Sequence, residues 1–424
     1  MKKDTFDSIS EHLPTKGWLG NYLKFTQNLE VCPRFRFFSA CCVMGAIINN
    51  KVWLQRGDEG LLPKLMPNPW IMLLAPPYRG HKTACINMAV NCLMEADPDI
   101  RILADKLTPE AVVHALAAPQ SPKETIRIGP RDAVGLIKAP EMSVLFGKQQ
   151  YNVGMVSLIT DLYDNREEWK SETIGRGKET LKNNCISILA GSTPTWLQHM
   201  LPQDAFTGGF MRRFIVVEIP TSFYKRDSNP KKPEGIEWQG LVRQLREFIS
   251  LKGKMEWAKG SKEAYDNYYN NFEPTGDEQY DSYVEGETEQ VLKIAMLLDL
   301  NMGRMELTKK SIEQAINLLK SILPETSSRI QMLTTHPRMQ TVKDIEELLK
   351  MYGVMSEAEL LSRLYRGLSQ GERQFYEALS ILKRTDIIEP VGKIGNWSYR
   401  LKGGKNDSLV NSSAEPKSLL PSGD

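Results

Sequence analysis

Between residues 17 and 50 apolar side chains recur at helical spacing: Trp18, Leu19, Tyr22, Leu23 and Phe25, then Phe37, Phe38, Cys41, Val43, Met44, Ile47 and Ile48. A period near 3.6 residues gathers such positions on one face, so the spacing predicts two helices separated at Pro33. A short strand is expected at 52–55, and Pro63, Pro67 and Pro69 mark extended chain leading into the next unit. Residues 1–66 therefore read as a helical N-terminal region.

Five short, continuously apolar runs follow, at 70–75, 100–104, 133–139, 185–191 and 213–219. Runs of this length between helical stretches such as 84–95 and 109–117 are the pattern of strands buried on both faces of a mostly parallel sheet. Thr108 before Pro109 and Glu110 supplies an N-cap followed by a residue suited to the first helical position. The fold class expected for 67–224 is α/β.

The segment 225–237 is polar and interrupted by Pro230 and Pro233, which reads as a linker or long loop. Amphipathic spacing over 288–301 and 311–323 predicts a small helical lid, so that linker and lid occupy 225–337. Residues 338–402 carry three helical segments and then the hairpin pattern of 387–401, the arrangement of a winged helix. The Gly, Ser, Asn and Pro content of 403–424 lacks periodicity and is expected to be disordered.

A chain of 424 residues exceeds one ordinary domain, and with 41% hydrophobic and 25% charged residues it has the balance of a soluble globular protein. A net charge of only +2 requires any nucleic-acid contact to come from local basic patches. The six cysteines show no CxxC spacing and mostly lie in apolar stretches, so buried free thiols, a reducing compartment and no structural zinc are expected. The polar N-terminus has no signal-like apolar segment, and no apolar run approaches the ~20 residues of a membrane span, which points to a cytoplasmic protein.

Candidate chemistry begins after the run 70–75. Ala75, Pro76, Pro77, Tyr78, Arg79, Gly80, His81, Lys82 and Thr83 form a loop between a strand and a helix. That context suits phosphate, because backbone N–H groups and a helix N-terminus cradle the anion while Lys adds a point charge. The spacing departs from G-x-x-x-x-G-K-[ST]: Ala75 replaces the first Gly, and His81 stands between Gly80 and Lys82. In this reading the ligand is ATP, Lys82 meets its β- and γ-phosphates, and Thr83 holds Mg2+. Arg79 and His81 read as loop-surface residues, with Arg79 able to add a phosphate contact.

A later strand of such a site should end in an acidic group, and 135–141 ends in Glu141, a candidate base, with Pro140 where a second acid often stands. A solvated strand-end Glu is the alternative. Ser192 and Thr193 end the fourth run, where a polar group would sense the γ-phosphate or cap the turn at Pro194. Arg213, after Arg212 and directly before the fifth run, suits either a finger reaching a neighbour's nucleotide or a salt bridge at a domain edge. The alternating stretch 169–182 turns at Gly175-Arg176-Gly177 and reads as a β-hairpin inserted between Glu141 and the fourth strand.

Several separated motifs share one resemblance. Pro67-Asn68-Pro69-Trp70, the AxxxxxxKT loop, KAPEMSVLFGKQQYNVGM (138–155), LITDLYDNREEW (158–169), SILAGSTPTWL (187–197) and GGFMRRFIVV (208–217) resemble a family of phage and mobile-element P-loop ATPases of helicase or primase-helicase type. The similarity covers roughly residues 17–220. It implies an AAA+/RecA-like core with Lys82, Thr83, Glu141 and Arg213 at matching functional positions, a homo-oligomeric ring, and a role beside other replication proteins. It also implies a pore-lining hairpin whose Arg176 and Lys178 track the phosphates of single-stranded or duplex DNA. The implied activity is a DNA-stimulated ATPase. A helicase loader or initiator that binds ATP with little hydrolysis, and a non-enzymatic DNA-binding scaffold, are the competing expectations. In the winged domain Arg363, Arg366, Arg373, Lys393 and Arg400 alternate with Glu357, Glu359, Glu372 and Glu377, so that domain is open to DNA or to protein.

Overall fold

The computed structural model describes residues 7–59, 61–103, 105–118, 132–146, 154–173, 177–200, 209–274, 278–326, 337–365, 368, 371–392 and 397–402. The expected tail 403–424 lies outside them. The chain divides into two compact units after Thr334.

In the first unit the strands are β1 (Val52–Leu54), β2 (Trp70–Leu74), β3 (Ile102–Leu103), β4 (Asp132–Ala139), β5 (Glu168–Thr173), β6 (Gly177–Ser192), β7 (Phe214–Glu218), β8 (Gly253–Trp257) and β9 (Glu306–Leu307). Among the described residues the main sheet has the order β3-β4-β6-β2-β7, parallel throughout, with β5 added antiparallel to β6. The expected α/β class with a mostly parallel sheet is what the chain adopts.

Burial on both faces explains why these strands read as continuous apolar runs. Ile71 and Leu73 point into one core, with the helices Gly17–Phe25, Pro33–Ile48 and Lys82–Ala96 and the buried half of Glu278–Leu300. Trp70, Met72 and Leu74 point into the other, with Pro109–Ala117, Met142–Leu145 and Met155–Leu162. Each large side chain so enclosed contributes ~1.5–3 kcal/mol. The helix Pro33–Ile48 is buried all round and starts with Pro33, whose missing N–H costs nothing at the first turn.

The N-terminal and lid helices pack on the same sheet face rather than apart from it. A second small sheet, parallel β1-β8-β9, joins the two segments. The expectation of largely helical chain after 237 misses β8 and β9, because Gly253–Trp257 buries only Met255 and its charged neighbours carry no strand signal.

In the second unit the helices Pro337–Tyr352, Glu357–Leu364 and Glu372–Arg384 pack with the antiparallel strands β10 (Met355–Ser356), β11 (Ile388–Val391) and β12 (Ser398–Leu401), in the order β10-β12-β11. Ser356 and Glu359 form a reciprocal capping box at the second helix. Phe375, Leu379, Leu382 and Tyr399 lie in its core.

Candidate functional site

The connection leaving β2 crosses on one face of the sheet and the connection leaving its neighbour β6 crosses on the other, since Ile86 and Leu93 belong to one core and Leu197 to the other. Adjacent parallel strands whose connections diverge open a crevice at their carboxyl ends, the place where ligands bind in open α/β sheets. The loop 75–83 rises from β2 at this crevice. Glu141 follows β4, and Ser192 ends β6, which lies between β4 and β2.

The loop is tightly built. The Arg79 N–H donates to the Pro76 carbonyl (3.2 Å), closing a turn with Pro77 second and Tyr78 third at φ 60°. A positive φ at that position is natural for Gly or Asn, and Tyr there costs about 1 kcal/mol. Gly80 has φ 77°, and a Cβ on it would stand 2.8 Å from the Ile219 side chain and 3.1 Å from Phe35. Glycine lets the backbone settle onto that floor without strain or displacement of those side chains.

Arg79 does not face the loop's mouth. Its guanidinium donates to the carbonyls of Pro220, Thr221 and Phe223, anchoring the loop to the chain that follows β7. His81 is left-handed at φ 47° and pairs with Glu30 through Nε2 at 2.9 Å. The helix Lys82–Ala96 begins there without a side-chain cap, and Thr83 is exposed in its first turn. Unsatisfied first-turn N–H groups and a hydroxyl beside them are the donor set that phosphate and a phosphate-bound Mg2+ require.

Lys82 is 8% exposed, and its Nζ donates to the Ala75 carbonyl at 2.9 Å. Burial lowers its pKa, and the Glu141 carboxylate opposes that shift. The carboxylate that bears on Lys82 thus comes from a residue 59 positions away in sequence, at the end of β4. Glu141 itself is exposed. The strand ends meet closely because a Cβ on Gly191 would lie 2.4 Å from the Pro140 oxygen. Ser192 is buried, and Thr193 spends its hydroxyl accepting the Trp196 N–H (3.2 Å), which caps the following helix.

Arg213 sits at the opposite end of the sheet. Phe214 pairs with Trp70, the first residue of β2, so Arg213 is roughly 15 Å along the strand from the loop of its own chain. Its guanidinium donates to the Gly209 carbonyl (2.8 Å), pairs with Asp164 (3.4 Å) and lies over Tyr163, while Nε has no acceptor among the described residues. It lines a cleft of about 610 Å3. Beneath runs a buried group that no sequence pattern exposed. Fully buried Lys293 pairs with Glu289 (3.5 Å) and lies over Tyr163, Glu289 also pairs with Arg56 (3.0 Å), and Gln290 donates to the Tyr163 hydroxyl (2.8 Å).

The hairpin β5–β6 extends from the amino end of β6, with exposed Lys178 opposite Glu172. Arg176 lies outside the described residues. In the second unit Arg373 pairs with Glu377 and Arg400 with Glu389, and Arg363 lies over the Tyr352 ring. Tyr399 is buried and donates to Glu357, whereas Trp397 is 38% exposed. Arg366 and Lys393 lie outside the described residues.

Among the described residues no three His, Cys, Asp or Glu side chains converge as a metal site, and no helix is long and apolar enough to cross a membrane. The six cysteines are free and buried, and burial raises the pKa of each. No protein-family model matches the chain, and no curated protein matches it significantly.

Proposed function

We propose that this protein binds ATP with Mg2+ at the loop 75–83 and acts as a ring-forming motor on DNA. The observation that carries the reading is the placement of buried Lys82, just past the carboxyl end of β2, and exposed Glu141, just past the carboxyl end of β4, at the crevice of a parallel sheet. Lys82 would hold the β- and γ-phosphates, and Thr83 would offer its hydroxyl to the metal, which would neutralise phosphate charge. Glu141 accepts the proton of the attacking water and Ser192 senses the γ-phosphate.

Arg213 supports a ring because it is too far from its own loop to serve it. A guanidinium at that end of the sheet, held by the Gly209 carbonyl and the exposed carboxylate of Asp164, suits a neighbour's phosphate once it exchanges those partners, so that each site is shared between two copies. The motif resemblance to phage and mobile-element ATPases supplies the DNA context. Lys178 on the hairpin supplies a sequence-independent phosphate contact.

A second reading, an ATP-bound loader or initiator with little turnover, draws on Pro140, which stands where a metal-holding carboxylate would assist Glu141. ATP hydrolysis measured with and without single-stranded and duplex DNA separates the two. DNA-stimulated turnover abolished in both Lys82→Ala and Glu141→Gln supports the motor. Tight ATP binding without turnover supports the loader, and no ATP binding by the unaltered protein overturns both.

A further inference from the structure

Tyr78 is anomalous. It stands at the tip of the loop 75–83 with a relative exposure of 104%, so it has no packing in its own chain, and it occupies a left-handed turn position that glycine would fill without strain. Neither the turn nor the core of this chain explains an aromatic ring there, and such outliers gather where a surface meets a ligand or partner.

At the opposite end of the sheet the cleft of about 610 Å3 has an aromatic wall and a mixed-charge rim in which arginines stand beside Asp164, Glu285 and Glu289. Tyr265 and Tyr269 stand with ring centroids 6.0 Å apart, Tyr269 is 56% exposed, and Phe272 continues the wall. Exposed Arg212 and half-buried Arg213 border it. A phenol fits this chemistry, its ring packing on aromatic rings and its oxygen accepting from a guanidinium.

We propose that Tyr78 of one copy seats in this cleft of the next. The two features lie at opposite ends of β2 and cannot meet within one chain, so their pairing is head-to-tail and propagates from copy to copy. The inference rests on the ring reading. If Arg213 reaches phosphates held by a neighbour's Lys82, then Tyr78, at most about 14 Å of chain from Lys82, comes beside the cleft that Arg213 lines. The seat makes assembly and nucleotide binding share one loop.

The test uses the full chain with ATP and reads mass by sedimentation velocity and ATP binding with a fluorescent analogue. Tyr269→Ala retains ATP binding but assembles only at ~tenfold higher protein concentration, the loss typical of an aromatic anchor. Tyr78→Ala shows the same shift, and at the concentration where the unaltered protein assembles an equimolar mixture of the two variants forms dimers and nothing larger, because it contains one intact junction. A misfolded variant would not give that dimer. Assembly of either variant at wild-type concentration overturns the inference alone, as does a mixture that stays monomeric while the unaltered protein assembles. An unaltered protein that binds ATP yet stays monomeric overturns the ring reading as well.

Discussion

The Lys82 ammonium donates to the Ala75 carbonyl 2.9 Å away, so the side chain suited to phosphate also closes its own loop. A phosphate entering the crevice offers that ammonium anionic acceptors in place of a neutral carbonyl, so the bond is exchanged for full ion pairing. Lys82→Met should therefore weaken ATP binding ~100-fold, about 2.7 kcal/mol, while the melting temperature without nucleotide stays level or rises because a buried charge is gone. Thermal melts with and without ATP check it. An ATP-induced stabilisation equal to that of the unaltered protein would sink the assignment.

The same residue sets a pH dependence. Burial holds its pKa below the ordinary 10.5, with Glu141 opposing the shift. Bound phosphate favours the ammonium, so affinity for ATP should fall as pH rises through the depressed value, where the empty site has lost its proton. Glu141→Gln removes the opposing charge and should move this fall to lower pH, whereas Lys82→Arg should abolish it. Calorimetric titrations in buffers of different ionisation enthalpy count the proton taken up. An unchanged midpoint in Glu141→Gln would show that the two groups do not communicate.

The legible parts of this protein were those with a period or a local rule. The parallel strands announced themselves as apolar runs because both faces are buried, and Pro33 and Thr108 marked helix starts by chemistry that needs no tertiary context. Glu141 was legible as a strand-end residue and Lys82 as the end of a loop between a strand and a helix. The Arg79 anchor was not, because its carbonyl partners lie some 140 positions away and carbonyls leave no trace in side-chain pattern. The cluster of Lys293, Glu289, Arg56 and Tyr163 was hidden for a related reason. Charges inside an amphipathic helix read as its solvent face until the neighbouring sheet shows which side is covered.

Gly80 should accept a side chain only at a cost. With φ 77° and a prospective Cβ 2.8 Å from Ile219, Gly80→Ala must both strain the backbone and push the floor aside. A stability loss of about 2 kcal/mol is expected, together with weakened ATP binding. Denaturant unfolding with unchanged slope measures the first effect. A variant as stable as the parent would mean that the loop relaxes freely.

Glu287 makes the lid sensitive to pH. Burial raises its carboxyl from 4.5 to about 7, against the Tyr268 hydroxyl, which donates to it at 3.4 Å, and the Lys320 charge. Below the unfolded value both states are protonated. Between about 4.5 and 7 the unfolded chain ionises first, so this group's contribution is lost as pH rises, by at most about 3 kcal/mol. Glu287→Gln should flatten that part of the stability curve. Melts from pH 4 to 8 that keep the same slope in the variant would exclude Glu287 as its source.

Glu289 should matter most through what it leaves behind. It is the anion facing both Arg56 and fully buried Lys293, and their charges hold its pKa low against burial. Glu289→Gln strands the Lys293 ammonium without its counter-ion, an event that costs about 3–5 kcal/mol when a buried pair is broken. Burial already lowers the Lys293 pKa, and loss of Glu289 lowers it further. The folded state then sheds that proton at a pH where the unfolded chain keeps it, so stability rises with pH and the deficit of Glu289→Gln should narrow on the alkaline side. Adding Lys293→Met should recover most of the loss at neutral pH, because a buried charge is replaced by an apolar chain of similar length while the partly exposed Arg56 turns to water. Unfolding free energies of the parent, the single and the double variants at two pH values decide it, and a double variant no more stable than Glu289→Gln would mean that the carboxylate acts on the fold through Arg56 instead.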